Sequence, residues 1–256
     1  MKLPLITAAS LVACIATASS AHIFNNFDAF TENFNDYRGS STTLPSNFSV
    51  LWDDTRTTEP FQGVNSGAFT AYTSDGVNHS FGIRERNPVD FRNSRLFFEF
   101  TNNTGFTITG FQVSYDVEAW FFGDRRNRIR LKYDDVLTPA EAGRATFETD
   151  IFSTDNPAPL TTVAGTTLDG SLAENRTTVT GFVNLATLDD GTGNFFGSLA
   201  DGETAYFRWQ FSNTTGDGGS DRSGLAINNL SITPVPEPST ALLGALGLLA
   251  LLRRRR

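Results

Sequence analysis

Hydrophobic and polar residues alternate in short runs along most of the chain, which predicts β-strands with one buried face. The clearest run spans Phe111–Phe121: its odd-numbered residues are apolar, and its even-numbered residues, Gln112 to Trp120, are expected to face solvent. A similar alternation predicts strands at 205–211 and 225–233, with Phe207, Trp209 and Phe211 in the core. Glycine-rich turns separate the runs, and no segment has a helical stripe. The pattern predicts an all-β domain, an antiparallel β-sandwich or jelly roll.

A hairpin is predicted between the Phe111–Phe121 run and the next alternating run, residues 128–133. In that second run Ile129, Leu131 and Tyr133 are expected in the core. A loop centred at Asp124 sets the register, which pairs Asp116 with Lys132, Glu118 with Arg130 and Trp120 with Arg128. Such cross-strand pairs contribute about 0.2–1 kcal/mol each. Five of these residues form the predicted ligand face: Asp116, Glu118, Trp120, Arg128 and Arg130.

The C-terminal residues follow a different pattern. Pro236, Glu237 and Pro238 form a triplet ahead of the apolar run Ala241–Leu252. The two prolines favour extended backbone, which should keep the triplet out of a helix and accessible to a processing enzyme. A helix over the apolar run would be about 18 Å long, against a hydrocarbon core of about 30 Å.

Four arginines end the chain and are predicted to act as a membrane stop signal: Arg253, Arg254, Arg255 and Arg256. Arginine side chains cross a bilayer only at high cost, so these four should stay on the cytoplasmic side and leave the preceding domain outside. The tail therefore predicts a short transmembrane helix that acts as a transient signal.

This order of Pro-Glu-Pro triplet, apolar helix and basic end resembles the C-terminal sorting signal of the PEP-CTERM proteins of Gram-negative bacteria. The resemblance covers Val235–Arg256. It implies export, an inner-membrane intermediate, processing by the membrane protease exosortase, and a final location at the cell surface or in the extracellular matrix. A plain tail anchor is the alternative interpretation.

A second, weaker resemblance links the body of the chain to β-sandwich ectodomains that often precede this tail. It rests on the segments 32–37, 113–120, 168–171, 205–211 and 224–233. Such domains usually read Ala-Ile-Asp-Asp near their end, where this chain has Asn228 and Asn229 in place of the acidic pair. If that pair holds a cation in the other domains, this chain lacks the charge for it.

The N-terminus has the pattern of a secretory signal helix. Lys2 is followed by an apolar stretch and by small residues at 19–21, which predicts a signal peptide over 1–21 with cleavage after Ala21. Residues 11–14 also match a lipobox, so lipidation at Cys14 stays open. Residues 22–234 are then expected to form one β-sandwich ectodomain, followed by the sorting signal at 235–256.

The net charge argues against nucleic acid as a partner. The chain has 20 Lys and Arg against 28 Asp and Glu. Removing Lys2 and the four terminal arginines leaves 15 basic residues and a net charge near −13. Such acidity disfavours nucleic acid and anionic lipid and favours an exported, soluble domain.

Catalytic and metal-binding patterns are weak. The chain lacks G-x-S-x-G, H-E-x-x-H and phosphate-loop motifs, and His79 is expected to be a solvated turn residue. Asp116 and Glu118 resemble the acidic strand of jelly-roll glycoside hydrolases, but basic residues opposite them should keep both ionised and poor as proton donors. Glycine-rich turns hold four acidic residues that could bind calcium but are ordinary turn formers: Asp189, Asp190, Asp217 and Asp221. No cofactor is predicted.

We therefore expect a non-enzymatic surface or matrix protein whose sandwich binds an extracellular polysaccharide or a protein. A secreted polysaccharide-active enzyme with a glycoside-hydrolase-like jelly roll is the alternative. An ice-binding role is a third interpretation, resting on the isolated Thr107-Ile108-Thr109 triplet.

Overall fold

The computed structural model describes residues 20–37, 44–52, 55–57, 69–84, 94–123, 127–134, 149–155, 163–189, 193–213 and 222–238. Within these ranges the chain is almost entirely β-structure, with one short 3-10 helix at Ala173–Asn175. The strands are β1 His22–Phe24, β2 Phe30–Glu32, β3 Phe48–Trp52, β4 Thr55–Thr57, β5 Phe69–Tyr72, β6 Ser80–Arg84, β7 Arg95–Asn102, β8 Ile108–Phe122, β9 Asn127–Asp134, β10 Thr149–Asp155, β11 Thr166–Thr167, β12 Arg176–Asn184, β13 Thr204–Asn213 and β14 Gly224–Pro236.

The strands form two sheets that pack as a sandwich, as the alternation predicts. The first sheet has the order β10-β9-β13-β7-β3-β4, and β1 pairs with β7. The second sheet has the order β11-β8-β14-β6-β5, with β12 on β8 and β2 on β14. Among the described strands, all pairings are antiparallel except that of β1 with β7, which is parallel.

The core between the sheets is dominated by aromatic rings. Phe111 of the second sheet lies 5.1 Å from Phe100 and 5.3 Å from Phe207 of the first, measured between ring centroids. Tyr115 meets Trp209 edge-on at 5.9 Å. Such edge-to-face pairs add to the stabilisation from burial alone. The predicted core residues of β9 and β13 are buried, and so are those of β8 up to Ala119, whereas Phe121 is only half-buried.

The predicted hairpin between β8 and β9 is wrong. β8 lies in the second sheet, whereas β9 lies in the first, between β10 and β13. Lys132 is therefore opposite Asp150 and Arg208, and not opposite Asp116. Alternation shows only that two strands share a core, and strands in facing sheets satisfy this as well as paired strands do. The connection after Phe122 thus crosses from one sheet to the other.

The predicted terminal segments lie almost wholly outside the described residues. This holds for the signal helix, of whose range 1–21 only Ser20 and Ala21 are described, and for the apolar run Ala241–Leu252. All four residues of the predicted stop signal also lie outside the described residues: Arg253, Arg254, Arg255 and Arg256. In the part of the chain that the structure describes, no helix is long and apolar enough to cross a membrane. The predicted last strand is present and is longer than expected, since β14 continues to Pro236.

Candidate functional sites on the second sheet

The outer face of the second sheet carries two different groups of polar side chains. Toward one end, Asp116 and Glu118 of β8 lie beside Asn228 and Asn229 of β14; we call these four residues and Trp120 the carboxylate cluster. Toward the other end lies an uncharged surface that we call the Phe182 patch. It consists of Gln112, Ser114, Thr180, Phe182, Ser231 and Thr233.

All four oxygens of the two clustered carboxylates accept hydrogen bonds from the protein. For Glu118, Trp120 Nε1 donates to Oε2 at 3.1 Å and Asn228 Nδ2 donates to Oε1 at 3.2 Å. Glu118 is 2% exposed. A buried carboxylate with both oxygens bound in this way is held in one geometry and is not open to solvent.

Asp116 is held on a more exposed side of the cluster. Thr178 Oγ1 donates to its Oδ1 at 2.5 Å, and Asn229 Nδ2 donates to its Oδ2 at 2.8 Å. Arg176 Nε lies 3.9 Å from the same Oδ2 and is itself partly exposed, so this ion pair is weak. The predicted neutralisation by Arg130 and Lys132 is wrong, because both lie in the other sheet.

The environment of Glu118 favours its neutral form. Burial raises the pKa of Glu118, and the charge on Asp116 acts in the same direction. The hydrogen bonds from Asn228 and Trp120 partly oppose this rise in pKa. The expectation that basic neighbours keep Glu118 ionised is therefore corrected by its burial.

Trp120 is packed inside the protein and does not present a face to solvent. Its ring stacks on Tyr72 of β5 with centroids 5.8 Å apart, and it is 7% exposed. A Cβ atom on Gly170 would lie 2.5 Å from the indole, so this glycine allows the 168–175 segment to lie directly on the ring. The hydroxyls of Ser74 and Ser171 are 3.3 Å apart, so they link the turn after β5 to the 168–175 segment.

The two asparagines supply hydrogen-bond donors to the cluster. Between Asn228 and Ser231 the register of β14 shifts, and Asn229 has a φ of 48°, a left-handed conformation that asparagine tolerates. Side-chain amides donate hydrogen bonds, whereas ionised carboxylates only accept them. In place of a second acidic pair, Asn228 and Asn229 thus provide the donors that Glu118 and Asp116 need.

The Phe182 patch differs because it is uncharged and accessible. Phe182 of β12 is opposite Gln112 of β8, and its ring extends over Gly110 of the same strand. A Cβ atom added to Gly110 would lie 2.5 Å from Phe182 Cζ. The ring therefore lies low on the sheet, and it is 43% exposed. The sequence interpretation missed Phe182, although the inward spacing of Val179 and Val183 indicates that Phe182 points outward.

A row of hydroxyl groups crosses four strands beside the Phe182 ring. Each residue of the row is the cross-strand partner of the next, in the order Thr31 of β2, Ser231 of β14, Ser114 of β8 and Thr180 of β12. Neighbouring strands are about 4.8 Å apart, and the Ser114 and Thr180 hydroxyls are 3.1 Å apart. The row extends the patch with groups that both donate and accept hydrogen bonds.

An open depression of about 470 Å³ adjoins this row. It is lined by Thr31, Glu32, Asn33, Asp36, Asn229, Leu230 and Ser231. Glu32 accepts a hydrogen bond from the backbone of Phe34, and burial is the main cause that raises the pKa of Glu32. The patch thus leads into a polar depression of a size typical of ligand sites.

The sorting triplet begins inside the second sheet. Pro236, the last residue of β14, pairs with Ile108, and the backbone N–H of Glu237 donates to the Thr107 carbonyl at 2.9 Å. The side chains of Glu237 and Pro238 are exposed. The triplet is extended as predicted, and the backbone of Pro236 and Glu237 is paired with the start of β8.

The remaining predicted site residues do not join these sites. Arg128 and Arg130 lie in β9 of the first sheet, opposite Ser212 and Gln210, and so are not on one face with Asp116. His79 is buried, with Nδ1 2.9 Å from the Val77 carbonyl, which corrects the solvated interpretation. Asp189 forms a backbone bridge to Phe195. The other predicted calcium and stop-signal positions lie outside the described residues: Asp190, Asp217, Asp221, Arg253, Arg254, Arg255 and Arg256.

No metal-binding group is present among the residues that the structure describes. Within those ranges, no three or more side chains of His, Cys, Asp and Glu are placed together so that they could hold an ion. Calcium binding by the glycine-rich turns stays the less favoured interpretation, and ordinary turn formation stays the favoured one.

Fold and tail together define a class of protein: an all-β sandwich whose last strand continues into a C-terminal sorting motif. Residues 234–256 match the family described as the PEP-CTERM protein-sorting motif. The tail thus contains a PEP-CTERM sorting motif, which indicates export and sorting at the membrane.

Solved structures similar to the chain are β-sandwich domains. The K1 cleaved adhesin domain of Lys-gingipain from Porphyromonas gingivalis W83 is 10% identical, with a TM-score of 0.42 over 80% of this chain and 97% of that one. The CBM22-1 xylan-binding domain of Paenibacillus barcinonensis Xyn10C is 9% identical, with a TM-score of 0.38 over 84% and 99%. The N-terminal cellulose-binding domain of Cellulomonas fimi β-1,4-glucanase C is 11% identical, with a TM-score of 0.35 over 77% and 94%. No curated protein matches the chain significantly.

Proposed function

We propose that the chain is an exported surface or matrix protein that binds a neutral polysaccharide on the Phe182 patch. The observation that carries the proposal is the position of the Phe182 ring, which lies low over Gly110 and is still 43% exposed. A pyranose ring has C–H groups on its faces, and these pack well against an aromatic surface. The surrounding side chains supply hydroxyl and amide groups for the sugar hydroxyls.

Charge favours a neutral polysaccharide over an anionic one. The patch has no charged side chain, while the chain as a whole has 28 acidic and 20 basic residues. An anionic polymer would be repelled by this acidic domain, whereas a neutral polymer would not. The hydroxyl row and the depression beyond it offer a continuous polar surface to an extended chain.

The contacts of Asp116 and Glu118 support binding without hydrolysis. A glycosidase needs one carboxyl group that protonates the leaving oxygen and a second that attacks or activates water. Here each carboxylate oxygen accepts a hydrogen bond from the protein, and the Trp120 that donates to Glu118 is itself stacked on Tyr72. We propose that this pair has a structural role.

The binding proposal is tested with the full-length chain in detergent on a glycan array, followed by titration of the polysaccharides that bind. We expect Phe182→Ala to lower the affinity at least about tenfold, the scale of a central aromatic contact. Phe106→Ala is the matched control, since Phe106 is 62% exposed and lies outside the patch. Full binding by Phe182→Ala, or equal losses in both variants, would contradict the patch assignment.

A second measurement separates binding from catalysis. The same polysaccharides are incubated with the protein, and new reducing ends are counted. We expect no release above the blank. Release that disappears in Asp116→Asn or Glu118→Gln, both of which keep the side-chain size, would instead support the enzyme alternative.

The sorting part of the proposal is exosortase processing, which leaves the domain at the cell surface or in the matrix. The chain is expressed in hosts with and without exosortase, and its C-terminus is sequenced. We expect Arg256 to be lost only when exosortase is present. An intact Arg256 in both hosts would contradict processing.

A further inference from the structure

The sorting motif is held by one neighbouring strand, β8. Beyond Thr233, β14 pairs with β8 through Pro234, Val235 and Pro236. Its other neighbours in the described chain pair with earlier residues, β6 with 224–227 and β2 with 230–232. Within the described ranges, the segment that enters the triplet is thus an edge of the sheet, attached on one side.

The alternating prolines match this one-sided attachment. In a strand, backbone N–H groups point alternately to the two sides, and the N–H of Glu237 points to β8, where it meets the Thr107 carbonyl. The N–H positions of residues 234, 236 and 238 therefore point away from β8, and all three are prolines, which have no N–H. The spacing permits pairing with β8 and leaves an outer edge with few donors.

Thr109 makes a further contact with the segment. Its Oγ1 lies 3.4 Å from the carbonyl oxygens of both Val235 and Pro236. The register shifts between Val235 and Pro236, so Thr109 is the extra residue of β8 at this point. Its hydroxyl thus occupies the position where regular pairing is interrupted.

Accessibility to a protease follows from these contacts. Enzymes that bind extended peptides commonly pair with the peptide backbone. The outer edge of this segment lacks N–H donors at its prolines, and its inner edge is occupied by β8. Backbone recognition of the motif therefore requires its separation from β8.

We propose that Thr107, Ile108 and Thr109 are positioning residues that keep the sorting motif in the sheet, and that exosortase acts on molecules in which residues 235–238 have detached. This rests on the proposed processing of the tail. The processing rate is then proportional to the fraction of molecules in which the motif is detached, just as an apparent affinity is reduced when only a fraction of the molecules can bind.

The first test moves the motif away from β8 without changing its sequence. Gly-Ser-Gly-Ser is inserted after Pro234 in the full-length chain, and processing is followed by pulse–chase in an exosortase-containing host. We expect processing to be about tenfold faster, because the inserted residues occupy the paired positions. The same insertion after Thr240 adds equal length, leaves the motif paired, and should not change the rate.

The second test changes β8 alone. Thr109→Val removes the hydroxyl and keeps the branched shape, and we expect processing about two- to fivefold faster with faster amide hydrogen exchange at Glu237. Thr109→Ser restores the hydroxyl and should restore both values. Two results would overturn the proposal. One is an unchanged processing rate with the insertion after Pro234. The other is an unchanged processing rate in Thr109→Val when amide hydrogen exchange at Glu237 is faster. Absence of all processing would instead contradict the proposed function.

Discussion

The carboxylate cluster and the Phe182 patch lie toward opposite ends of the outer face formed by β8, β12 and β14, and their side chains differ in their exposure to solvent. In the cluster, charged groups are buried and each oxygen is bonded within the protein. In the patch, Phe182, Thr180 and Gln112 are exposed, and the other hydroxyl residues are half-buried. Groups with satisfied partners stabilise a fold, whereas groups left open to solvent can bind another molecule. Mutations should therefore affect stability in the first region and binding in the second.

The largest expected effect is that of Glu118→Ala. It leaves the Trp120 Nε1 and Asn228 Nδ2 donors without their acceptor in a buried site and creates a cavity. We expect the free energy of unfolding to fall by about 3 kcal/mol, measured by urea denaturation. Gln112→Ala, on the same strand in the patch, should change it by less than about 0.5 kcal/mol. Equal effects at the two positions would remove the distinction between the regions.

Asp116→Ala should cost less than Glu118→Ala. Its partners Thr178 and Asn229 are exposed, so water can replace the lost acceptor. We expect a loss of about 1 kcal/mol in the free energy of unfolding. A loss as large as that of Glu118→Ala would show that the cluster acts as one unit, which the double variant would test through non-additivity.

The pH dependence of stability should identify the buried carboxyl. The pKa of Glu118 is raised above its ordinary value of 4.5 in the folded chain, so folding favours the protonated form. The folded state then binds more protons than the unfolded state, and this contribution to stability falls as pH rises from about 4.5 through the folded pKa. In Glu118→Gln that fall should be absent.

Glu32→Gln is the comparison for the pH experiment, because burial also raises the pKa of Glu32 and the sign of its effect is the same. Unfolding curves are measured across the range from weakly acidic to neutral pH for the wild type and both variants. A wild-type pH profile that neither variant changes would contradict the burial of these carboxyl groups.

The periodicity of the sequence predicted which residues of β9, of β13 and of β8 up to Ala119 form the core, because a two-residue alternation depends only on which face is buried. The partner of each strand could not be predicted in this way. Asp116 and Arg130 both lie on outward faces, and the sequence does not say whether these faces belong to one sheet or two.

The burial of Glu118 and Trp120 depends on distant segments. Tyr72 and Gly170 cover Trp120, and neither is near it in sequence. Local alternation places Trp120 on an outer face, and only the tertiary structure shows that this part of the face is covered. The attachment of Pro236 to Ile108 likewise joins residues far apart in the chain. By contrast, the presence of the sorting motif could be predicted from the sequence, since the order of its elements is local.

Phe182→Ala should reduce stability much less than Glu118→Ala does. The ring covers Gly110, so some apolar contact is lost, but 43% of the side chain is already exposed. We expect the free energy of unfolding to fall by no more than about 1 kcal/mol, the range of a cross-strand aromatic contact. Thermal and urea unfolding of the variant would measure this beside the binding titration. Lost binding with nearly unchanged stability would confirm that the patch faces a ligand, whereas a fall comparable to that of Glu118→Ala would make Phe182 part of the fold's own packing.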